Sequence, residues 1–218
     1  MQATVARAAP TMPPLEALVL DPADVPEFKR VFLDRERASN EALADRAEEP
    51  ERHRRRLHRW GRIDGLATRL TPARPLLPTH PIVVDSSAAR FETCAGAMQA
   101  LTDESAFPDE PSARRLFPRN IAENTECLHL VFEDDGERYS LYRVDFRVGN
   151  LLGSVGVVWR YPHGGPMQAL RLAEKQAFRM RTASNLPAAR TSVSASRAGV
   201  QVLSPEREER QLPLVREA

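Results

Sequence analysis

Arg143, Asp145 and Arg147 alternate along the chain, so on a β-strand all three side chains share one side. Two guanidiniums separated by one carboxylate have two uses. On a covered surface Asp145 neutralises its neighbours. On an open one Arg143 and Arg147 can each take a carboxylate or phosphate through paired N–H donors. Trp159 and Tyr161 close a later alternating run; they can rim such a site, or Trp159 can fill a core. Arg143, Arg147, Trp159 and Tyr161 are therefore the candidate contacts to a ligand or partner.

Other reactive residue types read as structural. His53–Arg59 (HRRRLHR) is the most basic stretch, but on a helix its cations spread around the axis beside Glu48, Glu49 and Glu51, as a solvated face does. His53 and His58 are five apart, about 140° around a helix, and make a poor metal pair. Arg171, Lys175 and Arg179 repeat every four residues and form a stripe with mild self-repulsion. A solvated face is the expectation there, with an anionic partner as the alternative. Glu133–Glu137 (EDDGE) lacks the ligand spacing of a calcium loop and reads as a hairpin turn. His163-Gly164-Gly165 is like the oxyanion-hole loop of esterases, but no G-x-S-x-G elbow accompanies it, and Gly153–Gly156 has the wrong spacing. No dinucleotide fingerprint, Walker loop or H-E-x-x-H occurs. No catalytic, cofactor-binding or metal-binding residue is assigned, and no cofactor is expected.

Cys94 and Cys127 cannot build a zinc finger by themselves and are too distant for a C-x-x-C motif. Two buried thiols are expected; the alternative is one Cys94–Cys127 disulfide, which implies an oxidising compartment.

The elements that must position these residues sit in a chain of 218 residues, 42% hydrophobic, with 31 basic and 30 acidic side chains. A net charge of +1 supplies no global field for nucleic acid or an anionic membrane, so neither is an expected partner. No apolar run approaches the roughly 18 residues that span a bilayer. Residues 1–14 read as a disordered leader without the apolar stretch of a signal peptide, and 184–218, rich in Ser, Pro, Arg and Glu, as a disordered tail. Residues 15–183 read as one domain.

Within it, Phe28–Ser39 reads as an edge strand and Glu41–Trp60 as helical, with Pro50 at a helix start and Gly61 as a stop. Ala67–Thr71 reads as a short strand. Ile82–Asp85 is strand-like, Ser86 and Ser87 are candidate N-caps, and Phe91, Cys94, Met98 and Leu101 mark the seam of a following helix. Pro108–Pro118 reads as a loop. The clearest pattern runs from Glu126 to Tyr161: three alternating strands joined at Asp135-Gly136 and Gly149-Asn150. Met167–Ala183 reads as a helix with Met167, Leu170, Ala173, Ala177 and Phe178 inward. The sum is an α+β fold, an antiparallel sheet of about five to six strands with helices packed on it.

Arg59–Gly65 (RWGRIDG), the PIVVDSSAARFETCAGAMQAL unit and the hairpin VDFRVGNLLGSVGV (Val144–Val157) together resemble a group of bacterial extracytoplasmic lipoprotein-like proteins, whose fold is similar to the α/β/α sandwich of the photosystem II extrinsic protein PsbP. The resemblance covers about 15–183. It implies a PsbP-like fold and a location outside the cytoplasm, and it brings no catalytic residues. The functional expectation is a non-enzymatic binding or interaction domain for an unknown protein or small ligand. The alternative is a small-molecule carrier or enzyme with a pocket between sheet and helices.

Overall fold

The structure, a computed structural model, describes residues 12–30, 36–74, 76–103, 113–116 and 120–185. Along them run β1 (Phe28–Arg30), β2 (Glu36–Ala38), α1 (Asn40–Ala44), α2 (Pro50–Arg59), β3 (Arg62–Pro72), β4 (Val83–Phe91), α3 (Cys94–Thr102), β5 (Arg114–Leu116), β6 (Asn124–Asp134), β7 (Glu137–Val148), β8 (Leu151–Arg160) and α4 (Pro166–Asn185).

The β6–β7–β8 meander is the centre of the fold. Asp135 and Gly136 both take positive φ, 48° and 75°, and Gly149 takes 59°, so two-residue turns join the strands in tight register. All strand pairings are antiparallel, in the order β1-β3-β4-β8-β7-β6-β5. β2 also pairs with β3, farther along the edge that β1 occupies. The expected α+β class with an antiparallel sheet is what the chain adopts. The expected five to six strands fall short because β1, β2 and β5 have three residues each, too few to display alternation. β5 lies inside the segment read as the Pro108–Pro118 loop. β3 is eleven residues long where five were read.

One sheet face holds the main core. Val144, Phe146, Val155, Val157, Val84 and Leu70 are buried there under α4 and the turn that begins at Leu15. α4 presents Ala169, Ala173, Ala177 and Met180 to the sheet. Met167 and Phe178, expected inward, are 58% and 66% exposed. The misphasing has a cause: Gln176 is fully buried, accepting from Ser86 Oγ at 2.9 Å and donating to Ser87 O at 2.7 Å. A polar residue satisfied in this way sits on the core side of the helix, where hydropathy alone does not place it.

The other face is partly roofed by α2 and α3 over a small cluster around Phe91, Ala97 and Ala100. Ser86 and Ser87 do not cap a helix. β4 continues to Phe91, and Thr93 caps α3 by accepting from Gly96 N at 3.0 Å. Phe91 thus belongs to the strand, and the inward side of α3 is Gly96, Ala97, Ala100 and Leu101. The single helix read over Glu41–Trp60 is two, α1 and α2, the second beginning at Pro50 as expected. α4 runs two residues beyond the expected end at Ala183. Most of the expected leader (residues 1–11) and of the expected tail (186–218) lie outside the described residues.

Both cysteines are free. Cys127 is buried in the core on the α4 side, whereas Cys94 is exposed on α3, on the opposite side of the sheet. The sheet stands between them, so the disulfide is not formed, and the expected burial holds for Cys127 alone.

Candidate functional site

On the face opposite α4, pairing register sets side chains in rows across the sheet. One row is Ala67, Ser87, Ser154, Asp145 and Glu126; the next is Arg69, Asp85, Gly156 and Arg143. The middle of both rows is small, Ser87, Ser154 and Gly156, while arginines stand at the sides. The result is an open trough of about 520 Å³ bordered by Arg69, Asp85, Leu141 and Arg143. A recess of about 110 Å³ adjoins it beneath Ala100 and Leu101 of α3 and shares Ser87, Arg143 and Ser154 with it.

The two arginines differ. Arg69 gives Nε and Nη2 to the two oxygens of Asp85, at 2.7 and 3.1 Å, a bidentate pair that neutralises its charge. Arg143 is held by Nε alone, which donates to Asp145 Oδ1 at 3.0 Å and to Ser154 Oγ at 3.3 Å. The Asp145 side chain is only 7% exposed and that of Arg143 36%. Among the described residues neither terminal nitrogen of Arg143 has a partner. Four N–H donors on a guanidinium fixed at its root therefore face the trough. Glu126 lies beyond Asp145 in the same row. Burial pushes its pKa up, the neighbouring Asp145 charge adds to this, and Arg115 opposes it.

Arg147 is committed elsewhere. Its side chain is 16% exposed; Nε donates to Asn124 Oδ1 at 3.1 Å, and Nη1 donates to Gly149 O at 2.9 Å and meets Glu123 Oε2 at 2.6 Å. It clamps the β7–β8 turn to the start of β6. Trp159 is buried on the α4 side, edge-on to Tyr142 with ring centroids 5.6 Å apart, and Tyr142 stacks on His129. Tyr161 is exposed with the Arg138 guanidinium 4.3 Å over its ring, away from the trough. Of the four candidate contacts, only Arg143 lines the hollow.

The remaining sequence features resolve individually. In the α4 stripe, Arg179 binds Asp21 at 3.3 Å and Asp24 at 2.8 Å, and Lys175 donates to Asp24 O at 3.0 Å. The anion for that stripe is the chain's own Leu18–Val25 segment. Glu133–Glu137 forms the β6–β7 turn, and no cluster of metal-ligating side chains occurs among the described residues. Gly164 lies against Trp159, where a Cβ would fall 2.5 Å from ring atom Cδ2. It is a packing glycine.

Sequence reasoning missed Arg69, Asp85, Ser87 and Ser154. The signal was present: Asp85, Ser87 and Ala89 alternate, as do Arg69 and Ala67, once β4 and β3 are given their full lengths. What the assembled groups offer is recognition chemistry, oriented N–H donors and hydroxyls above a small-residue floor.

No family model matches this chain, and neither does any curated protein. Among solved structures, the extracellular domain of PknH from Mycobacterium tuberculosis is similar, with a TM-score of 0.49 and 10% identity over 81% of this chain and 98% of that one.

Proposed function

We propose that this chain is a non-enzymatic binding domain that seats an acidic group, a carboxylate or phosphate of a small ligand or partner protein, in the trough on its polar sheet face. Arg143 is the anchor. The observation that carries this reading is the guanidinium fixed through Nε by buried Asp145 while both terminal nitrogens have no partner among the described residues. Such an arginine is already oriented, so little side-chain freedom is lost when an anion arrives. Ser87 and Ser154 supply hydroxyls beside it. A second reading, a carrier for a small molecule, is favoured by the recess under α3, which continues from the trough to the same arginine.

The resemblance carried by Arg59–Gly65 and Val144–Val157 supports a further part of the proposal, a PsbP-like domain acting outside the cytoplasm. Protease accessibility of the protein on intact cells tests the location. Protection until the membrane is breached would overturn it.

The site is tested by NMR titration of the domain with acetate, phosphate and an acidic peptide. A hydrogen-bonded charge contributes about 1.5–3 kcal/mol, so Arg143→Gln should weaken binding roughly tenfold to a hundredfold. Gly156→Val should also block it while leaving Arg143 in place. A Cβ at 156 meets only Leu141 at 3.4 Å and Asp85 at 3.7 Å, so the strand accepts it. Wild-type affinity in both variants would end this reading.

A further inference from the structure

A second hollow lies at the other end of the same face, between α2, α3 and the sheet. It has a volume of about 190 Å³ and is partly open to solvent. Its walls are Leu57, Trp60, Ala89, Phe91, Ala100 and Leu152. An apolar cavity of about 150 Å³ accommodates a benzene ring, so this one has room for a single ring with a substituent.

Two arginines and a histidine border it, Arg56, Arg62 and His53. Their presence follows from helix geometry. His53, Arg56, Leu57 and Trp60 fall at i, i+3, i+4 and i+7, which is one face of α2. Two other arginines of α2 behave differently. Arg52 pairs with Glu49 and Arg54 with Glu51 and Asp45, on the solvent side. Arg62 enters from β3 and is held by Asn40, which accepts from its Nη1 at 2.8 Å. Gly65 makes room for it: a Cβ there would fall 2.3 Å from Arg62 Nη2. Asp103 lies 4.0 Å from Arg56 Nε. Burial first, then the charges of Arg56 and Arg62, depress the proton affinity of His53, so the two arginines carry the positive charge of the site. An apolar hole bordered by two arginines and an imidazole suits a ligand with an apolar body and an anionic end.

We propose that this pocket binds a small carboxylate of about one aromatic ring, its ring against Trp60, Phe91 and Leu152 and its carboxylate facing Arg56, Arg62 and His53. The pocket shares no lining residue with the Arg143 trough, although Ala89, Ala100 and Leu152 also line the recess beside that trough, and its ligand is a different chemical class from a simple polar anion.

The probe is 4-fluorobenzoate, followed by 19F NMR on the domain, with neutral 4-fluorobenzyl alcohol as comparison. The benzoate should broaden and shift at millimolar concentration and bind at least tenfold tighter than the alcohol. Ala100→Leu, which fills the hollow, should abolish the effect. Arg56→Gln combined with Arg62→Gln, which spares the walls, should bring the acid down to the alcohol's affinity; a thermal melt confirms that each variant is folded. Arg143→Gln should leave benzoate binding unchanged. Equal binding of acid and alcohol, no binding at millimolar probe, or loss on Arg143→Gln with retention in the pocket variants would each overturn the proposal. The last outcome would also identify the trough as the benzoate site.

Discussion

Replacing Gly96 by alanine sets two physical effects against each other, and the sign of the outcome decides between them. Gly96 is in the first turn of α3 and buried against the end of α2. A Cβ built there would fall 1.9 Å from the carbonyl oxygen of Trp60 and 3.0 Å from its carbonyl carbon. Ordinary contact begins near 3.5 Å, so α3 must retreat from α2 by roughly 1.5 Å. Both sides of this clash are backbone, and no side chain can swing away. Overpacking of this kind costs about 1–3 kcal/mol, and a rigid obstacle argues for the upper end. Helix propensity works the other way: alanine for glycine stabilises a helix by at most about 1 kcal/mol. The Thr93 cap adds to the cost, since its Oγ1 lies 3.4 Å from the added carbon and bonds to Gly96 N. The net expectation is a loss of about 2 kcal/mol, or roughly 4–8 °C in Tm for a domain of this size. Thermal and urea unfolding of Gly96→Ala measure it, with exposed Ala95→Gly as the control for propensity alone. A Gly96→Ala protein as stable as the parent, or more so, would refute the close approach of α3 to Trp60, and with it the shape of the apolar pocket between the two helices.

Gly153→Ala tests the opposite face: its Cβ would lie 2.5 Å from Phe146 Cζ and 3.0 Å from Met180 Sδ, so a loss of about 1–3 kcal/mol in urea unfolding is expected, and an unchanged midpoint would contradict that contact. An aromatic disulfide reagent should titrate one thiol per native molecule, exposed Cys94, and two in urea; two fast native thiols would mean that Cys127 is not buried. Burial pushes the Cys127 thiol up to about 11 from an ordinary 9.0, with the Asp145 charge adding to it. The unfolded thiol therefore ionises first: its contribution to stability is constant below pH 9 and falls between 9 and 11 by about 1.4 kcal/mol per pH unit. Urea titrations at pH 8 and 10 on wild type and Cys127→Ala should differ in that slope. Equal slopes would show that the thiol does not titrate differently on folding.

The meander was legible because its information is local. Asp-Gly and Gly-Asn dipeptides select two-residue turns, and each strand has one apolar and one polar side. Edge strands of three residues carry no such pattern. The functional ambiguity was of another kind. Arg143 and Arg147 are indistinguishable by alternation, yet one is held through Nε alone and the other through Nε and Nη1. The difference comes from Glu123, Asn124 and the Gly149 carbonyl, which loop geometry brings to Arg147 and which no periodicity predicts. Ser87 was hidden for a related reason. It stands beside Ser86 in a pair that suits a helix cap, but Ser86 instead accepts from Leu20 N and donates to Gln176 in the core. Long-range partners, at separations of 66 and 90 residues, decided a local choice.

The exposed trough follows from lengths. α3 has nine residues and spans about 13 Å, whereas the ten residues of β8 span about 34 Å, so the helix roofs under half of the strand it crosses. The uncovered rows must be polar or small, and Arg69–Asp85 meets that need by itself. Arg143–Asp145 meets it by burying a carboxylate, whose removal from water is a cost that a Thr–Val pair would not carry. A strand serving stability alone would hold Thr and Val at these positions. The double variant Arg143→Thr/Asp145→Val is therefore expected to keep or raise the unfolding midpoint while erasing anion binding. Arg143→Thr alone should destabilise, because it leaves the Asp145 charge buried without its partner. If the double variant instead loses as much stability as the single one, the pair is a structural brace, and the case for Arg143 as the anchor of a ligand falls with it.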